Sequence, residues 1–223
     1  MSAELLINVT PSESRVALIE NGILQEIHVE RHTKRGLVGN IYRGKVSRVL
    51  PGMQAAFVDI GLEKAAFLHA SDIVIHNEIA EEVSASHIQK QDIRELVRDG
   101  QDIVVQVVKD PIGTKGARLT TDITIPSRYL VFMPSVTHVG VSQRIEEEAE
   151  RERLKSLVQE FCDENGGFIL RTAAEGVGKN ELQSDAAFLR RLWDKIQSRM
   201  KKRKSNVLYE DLPLARRVLR DFV

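Results

Sequence analysis

The chain has 223 residues, 42% of them hydrophobic and 29% charged, and its 32 basic and 32 acidic side chains cancel to a formal net charge of zero. That balance is ordinary for one large or two small globular domains and excludes collagen-like, low-complexity and wholly disordered chains. A single cysteine, Cys162, rules out an internal disulfide or a multi-thiolate metal site and fits a reducing, cytoplasmic setting. The N-terminus lacks the basic-then-apolar pattern of a leader, and no apolar run approaches the roughly 20 residues that span a bilayer.

In chain order, residues 4–9 (ELLINV), 14–20 (SRVALIE) and 23–31 (ILQEIHVER) predict an antiparallel meander, with Asn21-Gly22 as a two-residue hairpin turn. Three short strands bury too little to stand alone. Residues 39–121 read as a run of short strands separated by Pro51-Gly52, Gly61, a polar stretch near 74–92, and Pro111 to Gly116, the pattern of a small barrel or sandwich. Alternation over 53–60 puts Ala56, Val58 and Ile60 on one face and Ala55, Phe57 and Asp59 on the other. Val58 and Leu68 are then core, and Phe57 and Phe67 point outward.

Residues 123–223 are mixed. ITIPSRYLVFMP and GGFILRTA predict buried strands. Leu154, Leu157, Val158 and Phe161 share one helix face, and Leu182, Ala186, Leu189, Trp193, Ile196 and Met200 form a heptad-like stripe over 180–203. Under three heptads, that stripe reads as a helix packed on its own domain rather than a coiled coil. Asp211-Leu212-Pro213 starts a last helix with Leu214, Val218 and Phe222 on one face. Val223 follows with no C-terminal cap signal, so the chain is expected to be the N-terminal portion of something larger. Charge is uneven: residues 146–164 carry eight acids against three bases, and residues 187–223 carry eleven bases against four acids. A basic stretch faces either polyanions or solvent.

Two outward phenylalanines on adjacent strands make a stacking platform, because every base has a π face. His69 follows Phe67, Arg43 and Lys45 lie on the first strand, and Lys115 and Arg118 sit at the last strand and its loop, where they would meet phosphates. The competing reading is that Phe57 and Phe67 are core and the parity is off by one. A second candidate is Gly166-Gly167-Phe168-Ile169-Leu170-Arg171-Thr172-Ala173-Ala174-Glu175-Gly176, a strand that delivers an Arg fork and a hydroxyl into a small-residue loop. That chemistry suits a terminal phosphate, with Arg144 in support; a surface ion pair of Arg171 is the alternative. A nucleotide-triphosphate loop at Gly178-Lys179 fails, since it needs Gly at 173 and Ser or Thr at 180 where the chain has Ala173 and Asn180. His28, His32, His69, His76, His87 and His138 show no metal-ligand spacing, and Asp59 and Asp72 are isolated carboxylates rather than a two-metal set.

The run Gly44-Lys45-Val46 … Gly52 … Ala56-Phe57-Val58-Asp59-Ile60-Gly61 … Ala66-Phe67-Leu68-His69-Ala70-Ser71 resembles an S1 domain, an OB-type five-stranded barrel that binds single-stranded RNA. Ala66, where S1 sequences usually carry Gly, and the polar insertion near 74–92 depart from that pattern. LLINVTPSESRVALIENGILQEIHVER, NIYRGKVSRVLPGMQAAFVDIG and GTKGARLTTDITIPSRYLVFMP together resemble the ribonuclease E/G family, closest to its G-type members, from about residue 4 to the C-terminus.

The resemblance implies an α+β fold: N-terminal strands of an RNase H-like subdomain (1–38), an inserted S1 domain (39–121), an α+β sensor of the RNA 5′ end (122–212), and the start of the returning RNase H-like subdomain (213–223). It implies RNA contacts at Phe57, Phe67 and Lys115, joined from the residue reading by His69 and Lys45. It implies a 5′-monophosphate site at Arg171 and Thr172, with Arg144 beside it. The longer parent is expected to be a cytoplasmic homo-oligomeric endoribonuclease of rRNA maturation and mRNA decay. It would cut single-stranded RNA with a 5′-monophosphate preference, using Mg²⁺ held downstream and linking subunits through Zn²⁺. Neither ion, nor any catalytic residue, is expected within this chain. Two other readings stay open: a complete non-enzymatic S1-type RNA-binding protein, and an enzyme whose site the sequence does not reveal.

Overall fold

Asn21 and Gly22 take φ of 50° and 77°, the pair of positive values that a type I′ hairpin turn requires. In the computed structural model this turn joins the second and third strands of an antiparallel meander. Residues 3–74, 92–202 and 205–222 are described; most of the polar stretch near 74–92, with His76 and His87, falls outside them. In chain order, β1 (Ala3–Val9), β2 (Glu13–Glu20) and β3 (Ile23–Arg31) precede β4 (Ile41–Leu50), β5 (Ala55–Asp59), β6 (Ala66–His69), the one-turn α1 (Ile93–Leu96), β7 (Asp102–Lys109) and β8 (Arg118–Thr120). β9 (Ile125–Pro126), β10 (Leu130–Met133), β11 (Val139–Val141), α2 (Glu148–Gln159), β12 (Gly167–Leu170), α3 (Lys179–Lys202), β13 (Val207–Tyr209) and α4 (Leu214–Phe222) follow.

The chain divides into two compact units, residues 1–37 with 211–223 and residues 38–210. In the first, the β1-β2-β3 sheet buries Val16 against Leu214 and Val218 of α4, with Leu5 packed beside them. Glu30 on β3 is buried and accepts the Leu214 N–H at 3.0 Å and the Arg217 guanidinium at 2.9 Å. A carboxylate at a helix N-terminus meets both the unpaired amides and the positive end of the dipole.

In the second unit, strands pair in the order β13-β4-β5-β6-β8-β7, and a further β4–β7 pairing closes five of them into a barrel. β6 and β8 run parallel; the other neighbours are antiparallel. The interior is small: Ala56, Val58, Ile60, Ala66, Leu68, Ala117 and Leu119 are all buried. The predicted parity therefore holds, and Phe57 and Phe67 are half-buried on the outer side. Ala55 departs from it, being fully buried on the outer face; beside it the Gln54 side chain accepts the Ile93 N–H at 3.0 Å and brings α1 onto the barrel.

The rest of this unit is a four-stranded sheet, β11-β12-β10-β9, with β11 parallel to β12. Phe132 and Phe168 stack across β10 and β12 with ring centroids 5.3 Å apart. Leu154 and Val158 of α2 and Leu182, Ala186, Leu189 and Ile196 of α3 join the same core, with Trp193 and Met200 partly buried against it. The heptad-like stripe thus covers its own sheet, as short length favours. At the C-terminal end of α3 the Arg43 guanidinium donates to the Met200 carbonyl, and β13 then pairs with β4.

Gly116 sits where β8 begins, and a Cβ there would lie 1.9 Å from the Ala65 carbonyl oxygen. Gly116→Ala should lower the urea-unfolding free energy by about 1–3 kcal/mol, because backbone must shift to admit the methyl. Gly52→Ala, whose Cβ would meet nothing within 4 Å, should stay within about 0.5 kcal/mol of wild type. Equal midpoints for the two variants would contradict this packing.

Candidate nucleic-acid interface

Phe57 on β5 and Phe67 on β6 are directly opposed in register, with ring centroids 6.3 Å apart at 69°. Alternation pushes both rings out because their neighbours Val58 and Leu68 fill the narrow interior. The rings line a groove of about 690 Å³ together with residues of the 109–116 loop, Lys115 among them. Ile112 and Lys115 bridge each other, Gly113 takes φ 55° between them, and the Lys64 ammonium donates to the Gly113 carbonyl at 2.6 Å. The loop is therefore braced by its own bridge and by Lys64. Lys64, Lys109, Lys115 and Arg118 line the groove against one acid, Asp110.

The candidates named from sequence separate here. Phe57, Phe67 and Lys115 share the groove. His69 continues the aromatic row, its ring 6.4 Å from that of Phe67. Lys45 is outside that lining: it lies opposite Asp59 on β5, two residues from Phe57, and opposite Asp102 on β7. Arg118 is tied to Asp72 by two hydrogen bonds of 2.9 and 3.2 Å, which push its guanidinium pKa up. Arg43 is spent on the α3 carbonyls.

Two basic residues that the sequence reading passed over share the register of the rings. Arg48 is opposite Phe57, and Lys109 is opposite Arg118, itself opposite Phe67. Strict alternation would put Arg48 inside with Val46, and Lys109 inside with Val107. A register shift between Val46 and Arg48, and another between Val107 and Lys109, turn both outward; a bulge re-aims a side chain in this way. Both are exposed. A basic residue at a position that alternation assigns to a barrel interior was the available signal.

The second candidate forms where three segments meet. Parallel pairing of β11 and β12 ends at Val141–Leu170, and the Ser142 N–H extends it to the Leu170 carbonyl at 2.9 Å. Ser142-Gln143-Arg144 thus emerges beside Arg171-Thr172. β10 starts at the same end, where the Arg171 N–H donates to the Tyr129 carbonyl at 2.8 Å and its guanidinium donates to the Ser127 carbonyl. One carboxylate oxygen of Asp185, on α3, accepts the Tyr129 and Leu130 N–H groups, both at 3.0 Å, and the Ser127 hydroxyl. That carboxylate fixes the turn which holds Arg171. Thr172 is exposed at the start of a short 3-10 turn. Beyond it, the Arg153 guanidinium and then the Gly176 N–H hold the Glu150 carboxyl at a pKa of about 2. Arg144, Arg171 and Thr172 are thus neighbours at one sheet end, and Arg128, above the Tyr129 ring at 5.2 Å, adds a further cation there.

Among the described residues no group of three or more His, Cys, Asp or Glu side chains is placed to hold a metal ion, and no helix is long and apolar enough to cross a membrane. Burial pushes the Cys162 thiol pKa up.

Residues 37–119 match the S1 RNA binding domain family, and residues 124–223 match the Ribonuclease E/G family. Over all 223 residues the chain is 69% identical to Ribonuclease G of Escherichia coli strain K12, covering 46% of that protein, and 63% identical to Ribonuclease G of Haemophilus influenzae, covering 45%. It is 34% identical to Ribonuclease E of Escherichia coli strain K12 over 98% of the chain and 21% of that protein. The chain therefore spans just under half the length of its ribonuclease G relatives.

If the rings form a stacking platform, Phe57→Ala and Phe67→Ala should each weaken single-stranded RNA binding by about 1–3 kcal/mol. The thermal midpoint should change little, because neither ring fills the interior. A sharp drop in midpoint with unchanged affinity would make the rings structural.

Proposed function

The chain belongs to the ribonuclease E/G family, and from that premise we propose that it is the RNA-binding and 5′-end-sensing part of a cytoplasmic endoribonuclease acting on single-stranded RNA in rRNA maturation and mRNA decay. The observation that carries the proposal is the convergence of Arg144, Arg171 and Thr172 at one end of the β11-β12-β10-β9 sheet, in the same unit as the barrel with its outward ring pair. A terminal phosphate monoester has more charge and more free oxygens than an internal diester. An Arg fork beside a hydroxyl discriminates between them by charge-assisted hydrogen bonds, each worth about 1.5–3 kcal/mol.

In this reading the barrel grips the body of the RNA without sequence preference, since stacking is indifferent to base identity, and the sensor grips its end. The segments 1–38 and 213–223 are assigned to an RNase H-like subdomain, 39–121 to the S1 domain and 122–212 to the sensor. Magnesium would supply the water-activating, charge-stabilising chemistry of cleavage, and zinc would join subunits of the homo-oligomer. Among the described residues no group of His, Cys, Asp or Glu side chains is placed to hold either ion, and in this reading both belong to the longer protein.

A titration against one RNA in three forms tests the sensor. Wild type should bind the 5′-monophosphate form more tightly than the 5′-hydroxyl form. Arg171→Ala should erase most of that difference and Thr172→Val part of it, while binding to a circular RNA stays unchanged. Equal weakening on all three RNAs would make Arg171 a general phosphate contact or a structural group.

The 223-residue chain should bind RNA without cutting it, in the presence or absence of Mg²⁺. RNA fragments that accumulate with time and vanish on chelation would show that cleavage chemistry resides in this chain.

A further inference from the structure

Residues 187–223 carry eleven bases against four acids, an excess that neither the ring platform nor the Arg171 loop uses. Packing accounts for part of it. Arg190 donates to the Phe161 carbonyl at 2.9 Å and pairs with Asp163 at 3.2 Å, and the Arg199 guanidinium donates to the Leu208 carbonyl at 2.9 Å. On α4, Arg217 meets Glu30, and Arg220 meets Asp211 and Asp221. On α3 that leaves Arg191, Lys195, Lys201 and Lys202, all exposed and none with an acidic partner among the described residues.

Arg191, Lys195 and Lys202 stand at i, i+4 and i+11, which is one line along a helix. The line lies opposite Leu189, Ile196 and Met200, which pack on the sheet, and it runs for about 16 Å at 1.5 Å per residue. Asp194 is the one acid within residues 190–202. The helix dipole favours cations in the last turn, where Lys201 and Lys202 sit, but its influence fades within that turn. Arg191 and Lys195 stand about three and two turns before the helix end, so the dipole does not account for them.

The chemistry narrows the partner. A membrane surface takes an amphipathic helix by its apolar face, and α3 has spent that face on the core. A flexible single strand is held by ring after ring, and this line has one exposed ring, Phe188, at its head. A straight row of cations on a rigid rod matches a polyanion that is itself rigid and evenly charged. A-form RNA is such a partner, recognised by shape and by contacts to phosphates and 2′-hydroxyls. We propose that the Arg191–Lys195–Lys202 face of α3 binds the phosphate backbone of base-paired RNA. This surface is separate from the stacking rings and the 5′ sensor and rests on neither.

The test is the salt dependence of binding to a blunt RNA duplex with 5′-hydroxyl ends, which offers no unpaired base to the rings and no terminal phosphate to Arg171. Each phosphate contact contributes about −0.9 to the slope of log affinity against log salt on a B-form duplex. Arg191→Gln, Lys195→Gln and Lys202→Gln should each flatten the slope by about 0.9, and the triple variant by about 2.7. Lys195→Arg should keep the wild-type slope, and the urea midpoint of the triple variant should match wild type, which separates lost charge from lost folding. Phe57→Ala should leave duplex binding unchanged, and the triple variant should bind a 5′-hydroxyl oligouridylate as wild type does. A wild-type chain that fails to bind the duplex, or an unaltered duplex slope in the triple variant, would overturn the proposal. Equal flattening on duplex and oligouridylate would overturn it in favour of a general RNA contact. Sedimentation of wild type, but not the triple variant, with phosphatidylglycerol vesicles, at an unaltered duplex slope, would assign the face to a membrane surface instead.

Discussion

Closing five strands into a barrel leaves an interior lined mostly by small and branched side chains around β5 and β6, and that constraint shapes both surfaces of the protein's larger unit. Gly44 shows the limit: a Cβ there would lie 2.5 Å from the Val58 side chain. With alanines at 56, 66 and 117 filling the inside, rings and charges on β5 and β6 fall on the outer side. The outer face therefore collects Phe57, Phe67 and the basic residues around them. The platform is a by-product of closure as much as a device built for its ligand.

The end of the β11-β12-β10-β9 sheet, where the proposed sensor lies, is organised by a different force. Three strand ends would leave loose turns without a common acceptor, and Asp185 supplies it from α3. One buried-edge carboxylate satisfied by two amides and a hydroxyl is a strong local organiser, since each unmade bond there would leave a polar group unpaired. Glu150 plays the equivalent part for the loop after Thr172, where Arg153 and the Gly176 amide keep it ionised across the whole physiological range. Two acids thus brace the turns that carry this site, Asp185 through the amides and hydroxyl before β10 and Glu150 through Arg153 and the Gly176 amide.

Much of this was legible in the chain because local rules and global packing agree. Asn21-Gly22 can make one kind of turn, Val58 and Leu68 set the parity of their strands, and the Leu182–Met200 stripe has one apolar face to bury. What escaped was information about partners. Arg48 and Lys109 look internal until the bulges are seen, because period-two counting fails by one residue at a bulge. That Lys45 faces two carboxylate residues, Asp59 and Asp102, follows only from the register of three strands. Nothing in the spacing announces that Asp185, 56 residues after Tyr129, holds the turn that holds Arg171.

The pairing of β13 with β4, reinforced by the Arg43 guanidinium on the last carbonyls of α3, splices that long helix to the first strand of the barrel. On the proposed function such a splice would work as a splint, holding the two proposed grips on a bound strand at a constant spacing instead of letting them wander on a tether. Engaging one end would then present the neighbouring stretch to the second grip at high effective concentration, and two modest contacts would act as one bivalent hold. The same splint would set a minimum reach. An RNA too short to bridge the gap would gain nothing from having both grips available, and the joint between helix and barrel would then act as a length gauge.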